Sequence, residues 1–153
     1  MVDPGIVLVV AKGPDSGRTF SIPVGCYRVV GRNDGLVAGT AVQPRGEQRR
    51  LEREDQRTAA EHLRRRASPG LAGARSEVAA FTREVDVDLS DEAVSQTHSM
   101  VFCDEAGASI VDVASTNGTY VNGDKVAESA LVDGDLIRVG ESRLEVHADM
   151  IRA

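Results

Sequence analysis

The strongest constraint on this chain is a repeated local pattern. Eight runs of three to five residues recur along it: Ile6–Val10, Arg18–Ile22, Tyr27–Val30, Ser99–Cys103, Ser109–Val113, Thr119–Val121, Asp135–Val139 and Arg143–His147. Each is apolar or alternates polar with apolar, and each is bounded by Gly, Asn or Asp. Runs this short, separated by turn residues, predict strands rather than helices. Many short strands with turns between them predict an all-β protein, an antiparallel sandwich or barrel.

Composition narrows the class further. The chain has 153 residues, about one domain's worth, with 41% hydrophobic and 27% charged residues, as in globular proteins. Aromatics are 3% and Trp is absent, so the core must be built mainly from Val, Ile, Leu and Ala. The longest clean apolar run, Ile6 to Ala11, falls far short of the ~20 residues a membrane helix needs. No basic-then-apolar leader precedes it, so a cytoplasmic protein with no membrane contact is expected. The net charge of −6 argues against general nucleic-acid binding. Cys26 and Cys103 are expected to be buried apolar-like residues, because a cytoplasmic disulfide is rare. His62 and His147 are expected on the surface or in strands, without a role. There is no tight Cys/His cluster, P-loop or supported Ser/His/Asp set, so no metal, cofactor or catalytic residue is expected.

The middle of the chain has another character. Residues 36–84 hold 10 of the 18 basic and 7 of the 24 acidic residues, a net charge of +3 against −9 for the remainder. Gly46 to Ala67 has strong helix formers and no internal Pro or Gly. Its apolar residues are sparse: Leu51, Ala59, Ala60, Leu63 and Ala67. That predicts a solvated helix, supported by pairs such as Glu61–Arg65 at i,i+4 and only partly formed in isolation. Ser68–Gly73 reads as a flexible loop. The chain is therefore expected to be one domain, 1–153, with 36–84 as a helical or disordered insert.

Three clusters occur in order: Val29-Val-Gly-Arg32; Val94-Ser-Gln-Thr-His98; and Asp112-Val-Ala-Ser-Thr-Asn-Gly-Thr-Tyr-Val-Asn-Gly123, followed by Leu131-Val-Asp-Gly-Asp. A phosphorylated side chain carries roughly −1.5 to −2 charges and three acceptor oxygens. Arg32 offers a permanent cationic fork, Ser95 and Thr97 hydroxyls, and Asn117 a rigid donor and acceptor for an extended backbone. In this order the clusters resemble the forkhead-associated (FHA) domain over residues 5–35 and 85–148. The resemblance implies an antiparallel β-sandwich that binds phosphothreonine peptides. It implies that Arg32 and Ser95 hold the phosphate, Asn117 holds the peptide main chain, and Thr116 lines the same loop. Gln96 and Thr97 join the phosphopeptide set. His98 would brace the loops from beneath, with Ser115 in support, and Gly31, Gly118, Gly123 and Gly134 would be turn residues. The implied partner is a phosphothreonine-containing protein, a Ser/Thr kinase or its substrate.

Two departures stand out. Gln96 occupies a position where the family usually has Arg, Asn or Lys; it brings no charge, so weaker phosphate binding is expected. The second is the gap of 63 positions from Arg32 to Ser95, where the family has a short loop. An insert there widens the interface, covers the site or projects into solvent; the sequence leaves these open. Arg64–Arg66 could touch an acidic partner or nucleic acid, but a solvated charged helix is the expected reading. A phospho-independent interaction module on the same fold is the alternative function. Thr40, Thr58 and Thr82 also make the insert a candidate ligand for its own site, Thr82 with Val85 three residues on.

Overall fold

The structure is a computed structural model that describes residues 5–32, 36–37, 40–41, 51–67 and 73–148. Its strands are β1 Gly5–Lys12, β2 Thr19–Pro23, β3 Cys26–Arg32, β4 Leu36–Val37, β5 Thr40–Ala41, β6 Thr82–Arg83 and β7 Val87–Leu89. They continue as β8 Ser99–Asp104, β9 Gly107–Asp112, β10 Thr119–Val121, β11 Asp124–Val126, β12 Glu128–Leu131, β13 Leu136–Val139 and β14 Ser142–Ala148. The helix α1 (Arg53–Ala67) and a 3-10 turn (Val78–Ala80) lie between β5 and β6. One sheet has the order β11-β10-β13-β14-β1-β2 and a second β12-β9-β8-β3-β6, with β7 also pairing β3, while β4 and β5 pair only with each other. The eight predicted runs all fall on strands. The architecture is the predicted all-β sandwich.

The two sheets bury their facing sides in one core, as alternation dictates. Ile6, Leu8 and Val10 on β1 meet Leu144 and Val146 on β14, and Val30, Val101 and Ile110 come from the other sheet. Cys103 joins this core; burial pushes its thiol up to about 11, so it behaves as a small hydrophobe. Cys26, its register partner across β3 and β8, is half-buried.

The second sheet is apolar on its outer face as well. Tyr27, Val29, Met100, Phe102 and Val111 form a second cluster there with Ala59 and Leu63 of α1 and with Phe81. Tyr27 stacks on Phe102 at 5.1 Å between ring centroids, and Phe81 meets Phe102 edge-on at 5.0 Å. Such ring pairs each add about 0.5–1.5 kcal/mol beyond their buried area. Three of the five aromatic residues are therefore spent on this outer layer.

The insert helix is thus packed, not solvated as the sequence predicts. Its i,i+4 pair Ala59 and Leu63 is fully buried against the sheet. Glu54 and Asp55 in its first turn and Arg64, Arg65 and Arg66 in its last complement the helix dipole. Arg65 bonds Glu128 on β12 (2.7 Å) and Arg66 bonds Asp104 on β8 (2.6 Å), so α1 is held across the sheet. His62, expected on the surface, is buried. Its Nδ1 lies 2.6 Å from Glu128 Oε1 and its Nε2 2.9 Å from Ser109 Oγ. A carboxylate only accepts, so Nδ1 carries the proton and Nε2 accepts from Ser109. Ser109, His62 and Glu128 stand in the order of a hydrolytic relay. Ser109 is 1% exposed beneath the helix, so the set is a clasp that docks α1.

Residues 46–50 of the predicted helix and 68–72 of the predicted loop lie outside the described residues. Thr82 sits on β6, where its N–H donates to Gly25 O (2.8 Å). Its entry into a binding groove as an extended ligand would require β6 to leave β3. Leu63→Ala should cost about 2–5 kcal/mol, because it opens a cavity in the outer layer. Denaturant unfolding of the variant measures that loss; a change under about 0.5 kcal/mol would mean that the helix is not docked.

Candidate functional site

The sequence-predicted residues converge on the end of β3 and two loops at one end of the second sheet. Arg32 ends β3. The loop 91–98 precedes β8, and the loop 113–118 joins β9 to β10. Arg32, Ser95, Gln96, Thr116 and Asn117 line one open groove of about 360 Å³, together with Glu92, Ala93 and Val94. Thr97 is half-buried and is not among the groove's lining residues. Gly31, expected at a turn, lies within β3 opposite Asp88 of β7. Gly118, Gly123 and Gly134 do occupy turns with positive φ. Described residues of the 36–84 segment are absent from the groove lining.

Arg32 is tied to the neighbouring loop at both ends. Its backbone N–H donates to Ser95 O (2.9 Å), and Nη1 donates to Glu92 O (3.2 Å) and Val94 O (3.1 Å). These carbonyls aim the guanidinium. Ser95 Oγ accepts from the Thr116 N–H (2.9 Å), which leaves its own proton to donate into the groove. Asn117 Nδ2 donates to Ala93 O (2.8 Å), which fixes the exposed carboxamide across the loop gap. The groove therefore presents a cationic fork, a hydroxyl donor and a rigid amide, an arrangement suited to a phosphate beside an extended backbone.

His98 holds this arrangement from below. It is fully buried. Nδ1 accepts the Ser95 N–H (3.1 Å), so Nε2 carries the proton and donates to Gly118 O (2.9 Å). One imidazole thus joins the two loops that carry Ser95 and Asn117. Its backbone joins β3 and the start of the loop 113–118: His98 N–H donates to Val30 O (2.9 Å), and its carbonyl accepts from Val113 N (3.0 Å). Ser95 Oγ is not bonded to the imidazole, so the pair is not a nucleophile with its base.

Two carboxylates that the sequence reading did not single out complete the frame. Asp112 accepts from Ser115 N (3.2 Å), from Ser115 Oγ and from Thr119 Oγ1 (2.7 Å), while Ser115 Oγ accepts from Gly118 N (2.9 Å). This network closes the loop over Ala114, which has φ +61°. Asp91 accepts from Ala93 N (2.8 Å), Glu141 N (2.8 Å) and Ser142 Oγ (2.7 Å), pinning the serine loop to the β13–β14 turn. The signals were Asp at i,i+2 and i,i+3 from loop residues, the spacing of side chains that cap their own turns.

Burial pushes the His98 imidazole below its ordinary 6.5, and likewise His62. Both folded values lie below the unfolded one. Their contribution to stability is therefore complete above pH 6.5 and is lost as pH falls through the lower folded values. Unfolding free energy should fall as pH is lowered below 6.5, and ¹H–¹⁵N spectra should show His98 more than half neutral at pH 6.5. A His98 ring half-protonated at or above that pH would contradict the tautomer assigned here.

The FHA domain family model matches residues 75–140 of this chain. The glycogen accumulation regulator GarA of Mycobacterium tuberculosis is 39% identical over 59 residues, 39% of this chain and 36% of that protein. The match thus spans about a third of that relative's length. Among solved structures, the FHA domain of FhaA, complexed with the intracellular domain of Rv3910, is 25% identical with a TM-score of 0.52. The alignment covers 93% of this chain and 99% of that one. The MEK1 FHA domain, solved with a HOP1 phosphothreonine peptide, shares the fold at 20% identity and a TM-score of 0.53, over 97% and 100% of the two chains. The sequence match over residues 75–140 and the fold match over nearly the whole chain agree on one family, that of the forkhead-associated domains.

Proposed function

We propose that the chain recognises a phosphothreonine-containing segment of a partner protein, a Ser/Thr kinase or a substrate of one, in the cytoplasm. Arg32 and Ser95 grip the phosphate, and Asn117 holds the main chain of the bound peptide. Gln96 and Thr116 flank the phosphate, and Gly31, His98, Ser115 and Gly118 support the loops. The observation that carries this reading is the convergence of Arg32, Ser95, Thr116 and Asn117 on one solvent-open groove. The relatives support it: GarA is a regulator by name, and the FhaA domain is complexed with the intracellular part of another protein. No helix among the described residues is long and apolar enough to cross a membrane.

Energetics set the scale. A hydrogen bond to a charged group contributes about 1.5–3 kcal/mol. Two or three such bonds with main-chain contacts give roughly −8 kcal/mol, which is micromolar. Contacts of that strength form and dissolve readily, as a reversible signalling contact must. The alternative, a phospho-independent interaction module, drew on the neutral Gln96 and on the insert. The insert's described residues line none of the groove, which leaves Gln96 as the support for that reading.

Fluorescence polarisation against a degenerate phosphothreonine peptide library tests the proposal. Micromolar binding is expected, with none to the same library unphosphorylated. Arg32→Ala should weaken it by roughly tenfold to a hundredfold. Gln96→Arg should strengthen it severalfold, since a charged donor replaces a neutral one. Equal binding of both libraries, unchanged in Arg32→Ala, would overturn the proposal.

A further inference from the structure

The second sheet carries another groove on its outer face, away from the phosphate groove. It opens between α1 and the 3-10 turn and encloses about 760 Å³. Arg53, Arg57 and Arg64 stand along one side, and Arg83 of β6 also lines it. Their spacing of i, i+4 and i+11 aligns the three helix arginines on one stripe. Leu51, Ala60 and Val78 supply an apolar floor, and Glu77 is the acidic residue of the lining. The groove ends at Tyr27, five residues before Arg32 on β3, so about 17 Å separates it from the phosphate pocket.

The five arginines of α1 divide by use. Arg65 and Arg66 are bonded to Glu128 and Asp104 and dock the helix. Arg53, Arg57 and Arg64 are exposed and make no ion pair among the described residues. Docking the helix therefore accounts for two of the cations and leaves three aligned over an apolar floor. The combination calls for a ligand with both carboxylates and an apolar side chain. The preceding stretch of the chain, 42–50, holds Arg45, Arg49 and Arg50 against Glu47, so it shares the groove's charge and does not complement it. A nucleic-acid backbone has no use for the apolar floor, and the net charge of −6 repels an extended polyanion. A short acidic segment responds mainly to charges within a Debye length, about 8 Å at physiological salt, and so to the arginine stripe.

We infer that this groove is a docking site for an acidic segment of a partner protein, with Asp or Glu side chains on Arg53, Arg57 and Arg64 and an apolar side chain on the floor. The site needs no phosphate and stands independently of the phosphothreonine reading. The probe is a degenerate 12-residue peptide library, unphosphorylated, with fixed Glu positions flanking one Leu, against the same library with Gln for Glu. Titration of the unaltered, ¹⁵N-labelled chain should shift amides of residues 53–64 and 77–83 with the Glu library and leave Arg32, Ser95 and Asn117 unmoved. The Gln library should shift neither set. The double variant Arg57→Glu/Arg64→Glu should weaken the Glu library at least tenfold, and Arg32→Ala should leave it unchanged. Raising salt from 50 to 500 mM should weaken it as well.

Shifts confined to the phosphate groove, or no preference for Glu over Gln, would overturn the proposal even if the double variant proved poorly folded. Tighter binding of a single-stranded oligonucleotide at the same amides would overturn it in favour of nucleic acid. Self-association of the unliganded chain, abolished by the double variant, would make the occupant a second copy and overturn it as stated.

Discussion

The groove depends on one buried imidazole. His98 accepts the Ser95 N–H at Nδ1 and donates to Gly118 O from Nε2, so it can do both only as the neutral Nε2–H tautomer. Removing the ring would leave a buried donor and a buried carbonyl unpaired, each costing about 1–3 kcal/mol. It would also uncouple the loop carrying Ser95 from the loop carrying Asn117. Asp91 and Asp112 then stiffen each loop internally. None of these three side chains lines the groove, yet together they set the spacing of the groups that do. Preorganisation of this kind lowers the entropic cost of binding, because the donors need no further ordering.

A second constraint is the two-faced character of the β3-β8-β9 sheet. Its inner residues fill the sandwich, and its outer residues, Tyr27, Val29, Met100, Phe102 and Val111, would be an exposed apolar patch without cover. The segment between Arg32 and Ser95 supplies that cover through Ala59, Leu63 and Phe81. The helix docks with buried or half-buried polar clasps as well: His62 to Glu128 and Ser109, and Arg66 to Asp104. The helix of this segment packs along the sheet, and the segment's described residues line none of the groove. The closure entropy of a long loop grows only logarithmically with its length.

Much of this was legible in the sequence, and what was missed has a physical reason. Strands with their own alternation and turns, such as Ile6–Val10 and Arg143–His147, announced themselves. The short β6 and β7 did not, because two or three residues paired in parallel with a distant β3 carry no local period. The residue types of the groove were legible because Arg, Ser and Asn have few ways to meet a phosphate and a peptide backbone. Thr97 shows the limit: one residue from Gln96 on the same loop, it is half-buried and outside the groove. The burial of His62 and of α1 was hidden because their partners, Ser109 and Glu128, are 47 and 66 residues away. One clue was present: Met100, Val101, Phe102 and Cys103 are four consecutive apolar residues, which a strand solvated on one face would not carry.

The central claim is that the two braced loops and the end of β3 form a phosphate-reading groove. A ¹⁵N titration with a phosphothreonine peptide from the selected library tests it most directly. The account predicts shifts concentrated at Arg32, Ser95, Gln96, Thr116 and Asn117, with the Arg32 side-chain N–H moving in step and the unphosphorylated peptide silent. Shifts that are the same for both peptides, or that map to the outer face of the second sheet while Arg32 stays still, would contradict it.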